Sequence, residues 1–171
     1  MKNKDGKEMS RSEAEAFVKT RAAITISIMA ALLAILTLVN GSNSSKVLNN
    51  TITANNLWAW YQAKNTRGTL YEIEAQKASG ELKKKLGEEF ARMEKDKKDI
   101  AEKARALEAE RDHARKRGPW YTYAGSLLQI GVVLTTAAIL AATMTLFWAG
   151  AAAGILGALS FANGYWMIMM L

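Results

Sequence analysis

Cysteine is absent from this sequence of 171 residues, and proline occurs once, at Pro119. Without cysteine the chain has no disulfide and no thiolate nucleophile, although this absence does not fix its compartment. Charge is absent from two stretches, because residues 22–39 and 118–171 contain no Asp, Glu, Lys or Arg. A charge-free tail of this length is unlike a soluble surface, and it is long enough for two membrane crossings of about 20 residues each.

Motifs for catalysis or ligand binding are also missing. His113 is the only histidine, so the chain cannot build a zinc site with two histidines, and no nucleophile is marked by a neighbouring base. No phosphate-binding loop of the form GxxxxGK[ST] is present. The basic residues of 88–112 alternate with acids, which is typical of a solvated helix face rather than a nucleic-acid surface. We therefore predict no enzyme activity, no cofactor, no metal, no nucleic-acid partner and no evident small-molecule substrate.

The apolar runs predict an all-α integral membrane protein with three transmembrane helices. A basic tail, 1–21, precedes a first span at 22–39, for which a signal peptide is the competing interpretation. Pro119 is expected to end the incoming helix, so that the second span covers 120–147. Trp148, Ala149 and Gly150 then predict a tight turn into a third span, 148–171. Aromatic residues near the ends of these spans are expected at the membrane interface: Trp120, Tyr121, Tyr123, Trp148, Tyr165 and Trp166.

Four glycines of the third span share one helical face: Gly150, Gly154, Gly157 and Gly164. In lipid, glycine allows two backbones to approach closely. The face therefore predicts either tight packing on the chain's own second span or an interface with another subunit. Gln129 and Asn163 are polar groups at membrane depth, for which hydrogen bonds between helices are the simplest explanation.

Between the first and second spans, residues 40–119 predict an extramembrane helical hairpin. Residues 41–45 (GSNSS) are expected to be a flexible exit from the membrane, followed by helices at 46–78 and 81–117 with a turn at 79–80. The second helix carries a seam with steps of 4 and 3, which indicates a coiled-coil-like repeat: Leu86, Phe90, Met93, Lys97, Ile100, Ala104, Leu107, Arg111 and Ala114. Because both ends of the segment meet the same membrane face, we expect the two helices to be antiparallel.

The stretch LWAWYQAK, residues 57–64, concentrates aromatic side chains in a polar part of the chain. On a helix, Trp58 and Tyr61 share a face that can pack on the returning helix, whereas Trp60 lies on another side. The Trp60 side has three possible covers: the stem or cation–π contact of Lys64, lipid headgroups, or another protein chain. We favour another chain, and we take Trp58, Trp60, Tyr61 and Lys64, with the four glycines, as candidate partner-interface residues.

Three blocks resemble an uncharacterised family of bacterial membrane proteins, the domain of unknown function 4337. They are ANNLWAWYQAKNTRGTLYEIEAQ, KDIAEKARALEAERDHA and SLLQIGVVLTTAAILA. The resemblance implies one span, a charged helical segment and a two-span hairpin in a bacterial inner membrane, and it carries over no catalytic or ligand residue. Arginines that members often have between the last two spans are missing here, where the sequence reads TLFWAG.

Six basic residues precede the first span and five precede the second, within 2–21 and 105–117, and these two regions lie on opposite sides of the membrane. Since short segments and the first span usually set orientation, we expect the N-terminus in the cytoplasm and the hairpin in the periplasm or a lumen-like space. The hypothesis for function is a structural or interaction protein, an oligomerising or accessory subunit whose partners are membrane lipid and either copies of itself or another membrane complex. A membrane regulator or sensor, and a small oligomeric channel, are the alternatives.

Overall fold

The computed structural model describes residues 11–167, except for the side chains of Arg11 and Ala14. Within this range the chain has three α-helices and no strand: α1 (Arg11–Lys77), α2 (Gly80–Ala141) and α3 (Met144–Trp166). The predicted all-α class is confirmed, and each of the three helices is long and apolar enough to cross a membrane, as in a multi-pass membrane protein. Predictions for residues 1–10 and 168–171 lie outside the described residues.

Helix α1 is longer than the sequence predicts. The end of the predicted tail and the predicted flexible exit at 41–45 are both helical. Val18, which was assigned to the tail, is 1% exposed and packs in a cluster of apolar side chains with Ala22. Extending a helix adds one hydrogen bond for each residue that is fixed, so helical segments on both sides carry the helix through GSNSS despite its weak propensity.

The sequence predicted that Pro119 ends a helix, but Pro119 lies inside α2. Its ring removes one backbone donor and crowds the preceding turn, at a cost of about 3 kcal/mol. Ala114 before it and Tyr121 after it are both buried, so packing holds the chain helical on each side. This packing outweighs the cost of the proline.

The turn between α2 and α3 is at Ala142 and Thr143 rather than at Trp148–Gly150. Ala142 has a left-handed backbone with φ of 49°, and Thr143 is extended before α3 begins. The predicted second span therefore ends at Ala141, and Trp148 to Gly150 belong to α3. Gly150 lies inside α3, where it is buried against Gly131 and Thr135 of α2.

The break between α1 and α2 is formed by Ala78 and Ser79, one residue before the predicted turn. Gly80, the first residue of α2, has a φ of +64°, a conformation that glycine adopts without steric cost. The Ala78 amide donates to the carbonyl of Glu74 and closes the last turn of α1.

The chain forms two compact units. Among the described residues, one unit contains 11–43 and 116–167, and the other is Ser44–Arg115. In the first unit, Met29 and Leu36 of α1 pack with Tyr121 and Leu128 of α2. Val18 and Ala22 of α1 pack with Ala138 of α2 and Phe147 of α3. These pairings make α2 antiparallel to the first part of α1 and to α3, as in an up-down-up bundle.

Candidate interaction surfaces

The second unit, Ser44–Arg115, is an antiparallel pair of helical arms. Lys46 lies 3.1 Å from Glu110 across the pair, whereas Lys64 lies 2.6 Å from Asp96. Further towards the break, Gly68 is packed on Met93. As positions rise along the α1 arm, their partners fall along the α2 arm, so the arms run in opposite directions.

The predicted seam of α2 faces the α1 arm. All nine of its positions are buried or half-buried, and Met93, Ala104 and Ala114 are the most buried of them. The 4–3 spacing therefore identifies the inner face of this arm.

The α1 arm has a matching seam that the sequence analysis missed. Its ten positions also follow steps of 3 and 4, and all are buried or half-buried: Val47, Asn50, Ala54, Leu57, Tyr61, Lys64, Gly68, Tyr71, Ala75 and Ala78. Only some of these residues are large and apolar, because Asn50, Lys64 and Gly68 interrupt the pattern. Val47, Leu57, Tyr61 and Tyr71 share this register, and a search that tolerated the polar residues between them would have revealed the seam.

Two lysines occupy seam positions because each has partners there. The Lys97 side chain is only 12% exposed, and its ammonium group donates to Asn65 Oδ1 at 2.8 Å and pairs with Glu94. It also lies 5.7 Å from the centre of the Tyr61 ring. Lys64 donates to Asp96 at 2.6 Å. Paired in this way, a cation can line a helix interface that would otherwise exclude it.

These contacts shift the acidity of several hairpin side chains. The hydrogen bond from Lys64 lowers the pKa of Asp96, and the hydrogen bond from Lys46 lowers the pKa of Glu110. The hydrogen bond to Asp112 raises the pKa of Arg111. Each charged form is thus favoured by a partner near the surface of the hairpin.

The three aromatic rings of residues 57–64 divide between two sides of the α1 arm. Trp58 is half-buried, donates through its indole Nε1 to Glu108 Oε1 at 3.1 Å, and packs edge-on against Tyr61 with centroids 5.5 Å apart. Trp60 is 66% exposed. The ammonium group of Lys64, one of the three possible covers of Trp60, is bound to Asp96 instead. Most of the Trp60 ring is therefore uncovered by its own chain.

A shallow groove of about 260 Å³ lies beside Trp60. It is lined by Trp60, Ala63, Lys64, Arg67 and Ile100. An aromatic wall with a nearby guanidinium group is typical of residues that anchor protein interfaces.

The outer side of the α1 arm has no charged residue over seven helical turns. We call this side the neutral face and define it by the twelve outward positions between residues 48 and 73, all of which are exposed. Six are apolar: Leu48, Ile52, Ala59, Ala63, Leu70 and Ile73. Six are polar but uncharged: Asn49, Asn55, Asn56, Gln62, Thr66 and Thr69. Trp60 lies at its edge.

The outer side of the α2 arm is the opposite case. Of its eleven outward positions between residues 91 and 113, seven are charged: Arg92, Lys95, Lys98, Asp99, Glu102, Arg105 and Asp112. Two arms of one hairpin thus present different surfaces, and only the α2 arm has the charged surface expected of a helix in water.

The glycine face of α3 is occupied within the chain. Gly150, Gly154, Gly157 and Gly164 are all buried. A Cβ at Gly157 would lie 3.0 Å from the Leu128 amide nitrogen and 3.1 Å from the Ala124 carbonyl oxygen. The same atom at Gly164 would lie 2.9 Å from Tyr121. Of the two alternatives left open by the sequence, the structure has packing within the chain: Gly150, Gly157 and Gly164 pack on α2, and Gly154 packs on Met29 of α1. This face is therefore not free for another subunit.

The six aromatic residues predicted at the membrane interface differ in exposure. Tyr123, Trp148, Tyr165 and Trp166 are exposed, and Trp120 is half-buried. Tyr121 differs from the other five, because it is 2% exposed and packs against the Phe161 ring. Its position on the inner side of α2 places it in the core of the bundle.

No group of three or more His, Asp or Glu side chains that could hold a metal ion occurs in the part of the chain that the structure describes.

A family model matches residues 18–167, which include nearly all of the three helices. It is described as a domain of unknown function (DUF4337). The chain belongs to this family. The resemblance seen in the sequence blocks is confirmed. No curated protein and no solved structure matches the chain.

The sequence block WAWYQAK, residues 58–64, combines both sides of the α1 arm. Trp58, Tyr61 and Lys64 contribute to contacts between the arms, whereas Trp60, Ala59 and Ala63 face outwards. One block thus encodes both the pairing of the hairpin and the surface beside it.

Proposed function

We propose that this DUF4337 member is a non-enzymatic membrane protein that docks another protein through the neutral face of its hairpin. The carrying observation is that all twelve outward positions between residues 48 and 73 are exposed and uncharged, with an exposed tryptophan at their edge. Its role is that of an oligomerising or accessory subunit of a larger membrane assembly.

Composition supports a protein as the occupant of this face. The cores of protein interfaces are depleted of charged residues and enriched in aromatic ones. Surface helices that rest on lipid headgroups instead combine a strongly apolar face with many Lys and Arg residues. The neutral face has six amide or hydroxyl side chains and no cation, which suits the polar and apolar mixture of a partner helix.

The proposed setting is the inner membrane of a bacterium. In it, three spans from α1, α2 and α3 anchor the chain, the N-terminus lies in the cytoplasm, and the hairpin extends into the periplasm or a lumen. The number of helices long and apolar enough to cross, and the basic residues before the first span, support this arrangement.

Site-specific cross-linking tests the proposal, because the chain has no cysteine of its own. Ile52→Cys places one thiol on the neutral face, and Ala106→Cys places one on the exposed outer side of the α2 arm as a matched control. A maleimide carrying a benzophenone group, attached to the thiol and irradiated in native membranes, should link the Ile52 variant to a second protein, with little product from the control. Equal yields from both positions, or no product from the Ile52 variant, would reject docking through the neutral face.

A further inference from the structure

A stripe of exposed, mostly polar side chains lies on the outer side of α2, in the part predicted to cross the membrane. Its positions follow steps of 4 and 3, and every one is exposed: Thr122, Ser126, Gln129, Val133, Thr136 and Leu140. Four of these six side chains are polar. Exposed positions on a span contact lipid tails unless another protein covers them, so this composition is unlike a lipid-facing surface.

Gln129 is the deepest amide of the stripe. It lies nine residues after Trp120, about 14 Å along the helix, and thirteen residues before the turn at Ala142, about 20 Å. Since the hydrocarbon core is about 30 Å thick, Gln129 lies near its middle. Its side chain is too short to reach water from there.

The hydrogen-bonding groups of the stripe are only partly used. Thr122 and Thr136 donate their hydroxyl protons to carbonyls one turn earlier, those of Gly118 and Val132. Gln129 and Ser126 make no side-chain hydrogen bond within the described residues. An amide without a partner in hydrocarbon costs several kcal/mol, because lipid tails neither donate nor accept hydrogen bonds.

The remaining surfaces of the bundle offer no partner for this amide. The opposite side of α2 is buried through Tyr121, Ala124 and Leu128, and the glycine face of α3 already packs against it. Whatever covers Gln129 therefore comes from outside the part of the chain that the structure describes.

We propose that the same stripe of a second copy of this chain covers Gln129, forming a homodimer within the membrane. A carboxamide has both donors and an acceptor, so two copies of Gln129 can satisfy each other. Two copies inserted in the same sense are related by an axis along the membrane normal, which places each residue near its counterpart. Small Ser126 one turn away permits close approach of the two helices. This interface is distinct from the neutral face of the hairpin and holds whether or not that face docks a partner.

Single cysteines test the dimer in the full chain in native membranes. Val133→Cys places a thiol on the stripe, and Ser126→Cys is a second position on it. Leu156→Cys, on the exposed side of α3, is the matched control for random collision. Oxidation should give a product of twice the chain mass for the two stripe variants and little for the control.

The role of the amide is tested by adding Gln129→Leu to the Val133→Cys variant. We expect the dimer yield to fall roughly three- to thirtyfold, the range given by hydrogen bonds between membrane helices, and Gln129→Asn to retain more dimer than Gln129→Leu. Gln129 is exposed, so the change leaves the bundle core intact, which unchanged helicity in mild detergent should verify.

Three results would overturn the inference. They are equal dimer yields from the stripe and from Leu156→Cys, a yield that is unaffected by Gln129→Leu, and a product whose mass shows a different protein. None of these results bears on cross-linking through Ile52→Cys, so the docking proposal and the dimer proposal can fail separately.

Discussion

Trp58 and Glu108 join the two arms of the hairpin through a hydrogen bond of 3.1 Å between the indole Nε1 and the carboxylate Oε1. Two residues further along the same arm, Trp60 makes no such contact and is 66% exposed. The two tryptophans therefore differ in their contacts: Trp58 joins the two arms of the hairpin, whereas Trp60 is exposed at its surface.

The Trp58 hydrogen bond should contribute measurably to the stability of the hairpin. Trp58→Phe keeps an aromatic ring but removes the donor, so we expect the free energy of unfolding to fall by about 1 kcal/mol. Trp60→Phe is the matched control and should change it by less than about 0.5 kcal/mol. Denaturant titration of the full chain, followed by far-ultraviolet circular dichroism, measures both. Equal losses would show that the Glu108 bond does not distinguish the two residues.

Trp60 should matter for assembly rather than for folding. Truncating an aromatic anchor at an interface typically costs about 2 kcal/mol or more in binding, so Trp60→Ala should lower cross-linking through Ile52→Cys roughly thirtyfold. Helicity should stay the same because the ring makes few contacts with its own chain. A parallel loss of helicity and cross-linking would instead assign Trp60 to packing within the hairpin.

Glycine should be required at Gly157 and replaceable at Gly125. A Cβ at Gly157 would come within 3.1 Å of backbone atoms of α2, which cannot move independently, whereas at Gly125 it would meet Leu36 Cδ2 at an ordinary 3.5 Å. We expect Gly157→Ala to reduce the free energy of unfolding by about 1–3 kcal/mol. Gly125→Ala should leave it unchanged or raise it by up to about 1 kcal/mol. Thermal unfolding in detergent compares the two variants, and a well-tolerated Gly157→Ala would disprove the close approach of α2 and α3.

Acid should weaken the pairing of the hairpin arms. The hydrogen bond from Lys64 lowers the folded-state pKa of Asp96 below its unfolded value of about 3.9, so the folded state is favoured while the carboxylate is charged. The Asp96 contribution is fully present above pH about 4 and is lost as the pH falls through the lowered folded-state pKa. The hydrogen bond from Lys46 likewise lowers the folded-state pKa of Glu110 below its unfolded value of about 4.3. Its contribution to stability is therefore also lost as the pH falls.

Lys64→Gln provides the control for this acid dependence. The variant removes the charged partner of Asp96, so its stability should vary less with pH below about 4 than that of the native chain. The hydrogen-exchange rates of hairpin amides report the change locally. An identical acid dependence in the two proteins would exclude the Lys64–Asp96 pair as its source.

The sequence by itself determined the helical class and the inner face of the α2 arm. Charge-free apolar runs of about 18 residues or more usually form membrane-spanning helices. The 4–3 spacing from Leu86 to Ala114 identifies the apolar side of the α2 arm. The side of the arm on which Trp60 lies also follows from helical periodicity, because residues two apart cannot share a face.

Only the tertiary structure decided where the helices end and which small or polar residues are used within the chain. Pro119, the GSNSS segment and Gly150 each carry a local signal for a break, yet all three are helical. Packing of their neighbours keeps Pro119 and Gly150 helical, and the helical segments on both sides extend through GSNSS. Periodicity likewise could not separate the glycine face, which is filled by α2, from the stripe around Gln129, which is left open. Helix propensities differ by about 1 kcal/mol per residue, whereas the packing of helices against each other contributes several kcal/mol to stability. Only the arrangement of the packed helices reveals which surfaces remain for a partner.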